Sequence, residues 1–135
     1  MEILADTTVF IDLWRNRSHP ERLAELDAKR EGYRPVLLWM MEAELLHGAV
    51  YRAVAPDAVR TFLRPYPRLR LARRHLLAYA EVAAALQKAG RSIGVADLWL
   101  AATARHENVP VLTRNVKHFE CVPGLQVIGY QLVGV

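Results

Sequence analysis

Short apolar runs alternate along this chain with longer stretches whose apolar positions recur at helical spacing. Ile3 to Ala5 is the first such run, and it is closed by Asp6-Thr7-Thr8, whose short polar side chains suit a helix start. A helical stretch, Val9 to Arg15, follows. His19 to Arg30 places Leu23 and Leu26 on one face and stops at Gly32. Pro35 then introduces Val36-Leu37-Leu38-Trp39, which reads as a buried strand. Met40 to Arg52 is helical in length and apolar on nearly all sides, so it is expected in the interior. Further on, the pattern predicts a short helix from Pro56 to Leu63, a weak strand over Leu69 to Ala72, and an alanine-rich helix from His75 to Ala89 closed by Gly90. A helix from Val95 to Glu107, a strand over Val111 to Thr113, one helical turn from Asn115 to Phe119 and a last strand over Leu125 to Ile128 complete it. Strands separated by helices imply an α/β fold: a three-layer α/β/α sandwich around a mostly parallel sheet. Its working crevice is expected at the carboxyl ends of the strands.

That rule singles out residues. Asp6 follows the first strand directly, and Asn115 stands just beyond Thr113 at the end of the penultimate one. Glu44 has Met40, Met41 and Gly48 as its helical neighbours, while Asp97 has Leu100, Ala101 and Ala104. Both carboxylates are therefore expected on packed faces, where a charge costs several kcal/mol unless it is paired, protonated or bound to a cation. No basic residue lies at helical spacing on either face. A divalent ion shared with Asp6 answers the need, and oxygen-only ligands favour Mg²⁺ or Mn²⁺. Such an ion activates water and offsets charge in phosphodiester hydrolysis. Singly, each residue has a commoner use: Asp6 as a helix cap, Asp97 as a partner of the helix dipole, Asn115 as a turn residue, and Glu44, like Glu42, as a solvated helix glutamate. Together they form one coherent ligand set.

Composition narrows the field without naming a function. The 135 residues are 53% hydrophobic and 24% charged, which fits one compact domain spanning 1–135. Cys121 is the only cysteine, so neither an internal disulfide nor a cysteine-rich zinc site is available. The opening residues carry acids and no Lys or Arg, the wrong charge for a secretory leader, and no apolar run reaches the ~18 residues of a membrane span. A cytoplasmic protein without membrane contact is expected. The net charge of +4 is compatible with a polyanionic partner. Six arginines between Arg60 and Arg74 are interleaved with Phe62, Pro65, Tyr66 and Pro67; a solvated surface is their commoner meaning and a phosphate-tracking surface the sharper one. Five histidines include no H-x-x-x-H pair, and phosphate-binding and serine-hydrolase motifs are absent.

Four segments carry a resemblance: L-A-D-T-T-V-F-I-D-L at the start, A-E-L-L-H-G at 43 to 48, I-G-V-A-D-L-W-L-A-A-T-A at 93 to 104, and V-L-T-R-N-V-K-H-F at 111 to 119. In order and spacing they resemble the motif blocks of the PIN domain family, in particular its VapC toxin branch. The resemblance spans essentially the whole chain. It implies a metal-dependent endoribonuclease acting on RNA, dimeric, and held inactive by a cognate antitoxin protein. Carried over by position, Asp6, Glu44 and Asp97 are the metal-holding acids. The family's fourth acid is replaced by Asn115, and the alternative position three residues later by His118, which makes a second metal less expected. Trp39 stands where a small hydroxyl residue commonly ends the second strand. Thr113 fits a position of polar support.

The weakened fourth position leaves an alternative: a catalytically weakened RNA-binding or regulatory module of the same fold. Arg114 and Lys117 are expected to assist phosphate binding, with His118 at the cleft mouth. Leu13 and Trp14 are expected to be exposed and to line a groove for a partner helix or a second protomer.

Overall fold

A computed structural model describes residues 1–135. Five strands form one parallel sheet: β1 (Glu2–Ala5), β2 (Arg34–Leu38), β3 (Arg68–Leu69), β4 (Val111–Thr113) and β5 (Val127–Gly129), in the order β3-β2-β1-β4-β5. The helices are α1 (Thr7–Arg15), α2 (Ala24–Arg30) entered through a 3₁₀ turn at Pro20–Leu23, α3 (Trp39–Tyr51), α4 (Pro56–Leu63), α5 (Arg74–Lys88), α6 (Val95–Glu107) and α7 (Val116–Phe119). This is the three-layer parallel architecture expected. β1 sits centrally because Ile3, Leu4 and Ala5 are apolar on consecutive positions, as a strand covered on both faces must be. They join a single cluster of 24 buried residues with Val36 to Leu38, Val111, Leu112 and the inner faces of α1, α5 and α6.

Several boundaries differ from the sequence expectation for definable reasons. β2 ends at Leu38, and Trp39 opens α3 with half its surface in water. β3 occupies only Arg68 and Leu69, since the Ala72 N–H turns away from the ladder and donates to His75 Nδ1 at 2.9 Å. α3 is not interior. Only Met41 and Ala49 are buried on it, and Val50 and Tyr51 are 66% and 84% exposed, so its all-round apolarity includes an outward apolar face. Leu13 belongs to the core rather than the surface, and Trp14 packs edge-on against Phe62 with ring centroids 5.2 Å apart.

One glycine is dictated by packing. A Cβ on Gly129 would stand 2.3 Å from Val116 Cγ2, so only glycine lets the short helix α7 close against β5. That closure positions His118, which matters below.

Candidate functional site

Asp6 is the first residue beyond β1 and the N-cap of α1, accepting the Thr8 N–H at 3.0 Å. The capping use expected of such an aspartate is thus present. Its Oδ1 also accepts from the Thr8 hydroxyl, and its Oδ2 accepts from Thr113 Oγ1 at 2.7 Å. Asp6 is 3% exposed and Thr113 fully buried, so this pair is fixed by the sheet itself. Burial pushes the Asp6 carboxyl up; the two hydroxyl bonds pull it down, and the charge of Asp97 raises it again.

Asp97 lies in the first turn of α6 and Glu44 on α3, so three separate elements deliver the three acids to one edge of the sheet. The Glu44 carboxyl is pushed up by partial burial and then by the charges of Asp97 and Asp6, with His47 opposing. Glu44 is not on a packed face as the sequence suggested. It is exposed and, with Gly48 on the same helix, borders the groove between α1, α3 and α4 rather than the core. Asp97 is partly buried and has a partner that helical spacing could not reveal. His118 Nε2 lies 2.8 Å from Asp97 Oδ2, brought there by α7.

His118 is therefore committed to an acid of the cluster instead of standing free for phosphate. Asn115 reaches the same edge, but its side chain makes no hydrogen bond; its backbone N–H donates to Thr113 Oγ1 at 2.9 Å. Arg114 also departs from expectation. Its Nε donates to Asp12 Oδ2 at 2.8 Å, and its second nitrogen lies 3.3 Å from Oδ1, a bidentate pair that directs the guanidinium inward. Tyr130 donates to the same Asp12 oxygen at 2.7 Å. Burial first, and the neighbouring Asp12 second, push the Tyr130 hydroxyl far above its ordinary range, so it stays protonated. Asp12 was missed in the sequence. The signal was its place between Val9 and Leu13 on the buried side of α1, where a lone carboxylate demands a cation.

As the side chains stand, no three His, Cys, Asp or Glu residues converge at ligating distance. Asp97 is drawn toward His118 and Glu44 extends into solvent. The donor chemistry nevertheless fits a hard divalent cation. The donors are anionic oxygens, Asp6 and Glu44 are raised partly by neighbouring charge, and no Lys or Arg pairs with any of the three.

The arrangement defines a class: a parallel α/β protein with an acidic cluster at the carboxyl edge of its sheet. The PIN domain model matches residues 3–124, and the chain belongs to that family. It is 32% identical over 130 residues to Ribonuclease VapC1 of Haemophilus influenzae (strain R2866), covering 93% of this chain and 96% of that one. Ribonuclease VapC1 of Methanocaldococcus jannaschii is 28% identical over 119 residues, 88% of this chain and 79% of the relative. Among solved structures, VapBC-1 from nontypeable Haemophilus influenzae aligns with a TM-score of 0.78 at 29% identity, covering 96% and 98% of the two chains. DNA-bound VapBC from Salmonella typhimurium aligns with a TM-score of 0.81 at 23% identity over 96% and 98%, a likeness of fold.

Proposed function

We propose that this chain is a VapC-type toxin endoribonuclease that hydrolyses RNA phosphodiester bonds with Mg²⁺ or Mn²⁺ held by Asp6, Glu44 and Asp97. The observation that carries the reading is the delivery of three carboxylates, from the end of β1, from α3 and from α6, to one sheet edge, where the charge of Asp97 acts on Asp6 and the charges of Asp97 and Asp6 act on Glu44. A divalent ion there supplies Lewis-acid activation of water and offsets the charge of the phosphodiester. Thr8 and Thr113 hold Asp6 in one orientation, so the deepest acid does not have to be ordered when substrate arrives. His118 pairs with Asp97 at 2.8 Å. Glu44 is the exposed acid of the three and makes no hydrogen bond, so its carboxylate is free to complete the ligand set when a cation is bound.

The same reading gives the antitoxin a seat. An apolar groove between α1, α3 and α4 is lined by Phe10, Ile11, Trp14, Leu45 and Phe62, and Glu44 borders it. A partner helix lying there would run beside Glu44, and so could block access to the acids. Trp14, partly buried against Phe62, lines this groove, whereas Leu13 serves the core. Homodimerisation belongs to the same proposal.

The test is cleavage of a single-stranded RNA with Mg²⁺, with Mn²⁺ and with chelator, for the wild type and Asp6→Asn, Glu44→Gln and Asp97→Asn. Metal-dependent cutting lost in the variants supports the reading. RNA binding without cutting under every metal condition would leave the binding-module alternative.

A further inference from the structure

The carboxyl edge of the sheet carries a second group of side chains beside the acids. β2 pairs with β3 in the register Leu38 to Leu69, so the next residues, Trp39 and Arg70, leave the sheet side by side. β2 pairs with β1 in the register Leu4 to Val36, which sets Asp6 beside Leu38, one residue before Trp39. Adjacent strands lie about 4.8 Å apart, so Trp39 emerges one strand over from the deepest acid. The Arg70 guanidinium carbon sits 4.6 Å from the Trp39 ring centroid.

Packing does not account for this tryptophan. It is 51% exposed, at a position where the resemblance leads one to expect a small hydroxyl. Nor does ion pairing account for the arginine. Arg60 is engaged by Asp57, Arg68 by Glu42 and two backbone carbonyls, and Arg74 by Glu107, but Arg70, Arg64 and Arg73 have no carboxylate partner. An exposed indole under an uncompensated guanidinium is the surface on which unpaired nucleobases stack, with the positive charge meeting the adjoining phosphate. The surplus of one charge sign favours a polyanion over a protein partner.

We propose that Trp39 and Arg70 form a stacking subsite for an unpaired RNA base beside the acid cluster. The inference rests on the ribonuclease reading and names how that site holds its strand.

Binding of a fluorescein-labelled single-stranded hexaribonucleotide in chelator, and its cleavage in Mn²⁺, would be compared for wild type, Trp39→Ala, Trp39→Phe, Arg70→Ala and Arg70→Lys. Stacking predicts that Trp39→Ala weakens binding roughly tenfold or more and that Trp39→Phe restores most of it. Arg70→Lys should keep the salt dependence yet lose part of the affinity. Replacing the bases one at a time by abasic sites should weaken wild-type binding at one position and leave Trp39→Ala indifferent there. If the wild type cuts RNA and Trp39→Ala binds and cuts equally well, the subsite is wrong and the ribonuclease reading stands. If the wild type neither binds nor cuts RNA, the ribonuclease reading itself is wrong. If Trp39→Ala changes the sedimentation mass with RNA affinity per protomer intact, this face joins two copies of the chain and the subsite is overturned.

Discussion

Thr113 and Asp6, 107 residues apart in the chain, are joined by a 2.7 Å hydrogen bond between Thr113 Oγ1 and Asp6 Oδ2. β1 and β4 are sheet neighbours, and the bond lies one residue beyond their last registered pair, Ala5 with Leu112. It therefore ties the metal-binding candidate to the sheet rather than to a loop. Thr113→Val keeps the shape and removes both the donor to Asp6 and the acceptor of the Asn115 N–H. The expected cost is about 1.5–3 kcal/mol, the range for a hydrogen bond to a charged group, read as a lower midpoint in urea. Because the Thr113 hydroxyl lowers the Asp6 carboxyl, its loss should also move the acid limb of the pH–activity profile to higher pH.

Arg114 offers a test of a corrected assignment. Its guanidinium neutralises Asp12, which is 3% exposed, while Arg114 itself remains partly in water. Arg114→Ala leaves a buried carboxylate with Tyr130 as its remaining side-chain donor, so the expected loss is about 1–3 kcal/mol, below the figure for a fully buried pair. A phosphate-binding arginine would instead show unchanged stability with a reduced salt slope of RNA affinity. Denaturant melts beside binding at two salt concentrations separate the two.

How far these contacts were legible depends on their range in the chain. Asp6 at the end of β1 was readable because a strand end followed by capping residues is a local property, whereas the packed face that helical neighbours suggested for Glu44 is in fact exposed. The parallel sheet was readable for the same reason, since apolar runs bounded by Pro, Gly and capping residues recur along the chain. His118 beside Asp97 depends on α7 folding onto β5 at Gly129, and Arg114 and Tyr130 reach Asp12 from the ends of β4 and β5, long-range pairings that no spacing rule contains. Trp39 was assigned to β2 by hydrophobicity alone. In the fold β2 stops at Leu38, and the ring faces water under Arg70. Six clustered arginines looked alike in the sequence, and only their ion pairs sort three structural ones from three free ones.

The other end of α6 carries a separate pH dependence. His75 is fully buried; its Nδ1 accepts the Ala72 N–H, so Nε2 carries the proton and donates to Glu107 Oε1 at 2.7 Å. That bond, with Arg74, holds the Glu107 carboxyl below the usual carboxylate range. A carboxyl lowered by folding adds stability above its unfolded pKa of about 4.3 and loses it as the pH falls through the folded value. Glu107→Gln should therefore be destabilised at pH 7, with the gap to wild type closing below pH 4. A constant gap across thermal melts from pH 3 to 7 would contradict this.

Asp97→Asn decides between the cluster and the helix-dipole role. Asp6 and Glu44 are both raised, in part by Asp97, and a carboxyl raised by folding favours the fold at low pH and loses that contribution as the pH climbs through its folded value. The metal-free protein thus carries an electrostatic load at neutral pH. Removing the Asp97 charge lightens it for both partners. Because Glu44 is exposed and screened, the relief is expected to be under about 1 kcal/mol, and it should fade below about pH 4, where the acids are protonated in either variant. An asparagine oxygen can still accept from His118, so that bond weakens rather than vanishes. In the chelated protein, stability at pH 7 should be unchanged or slightly higher. With Mn²⁺ added, the wild type should gain stability in proportion to RT ln(1 + [L]/Kd), and the variant should gain less and cut RNA poorly. A pure dipole role gives the opposite pattern: a loss of up to about 1 kcal/mol without metal, an unaltered response to Mn²⁺ and normal cleavage. Melts at pH 4 and pH 7, with chelator and with Mn²⁺, read beside the cleavage assay, distinguish the two by sign.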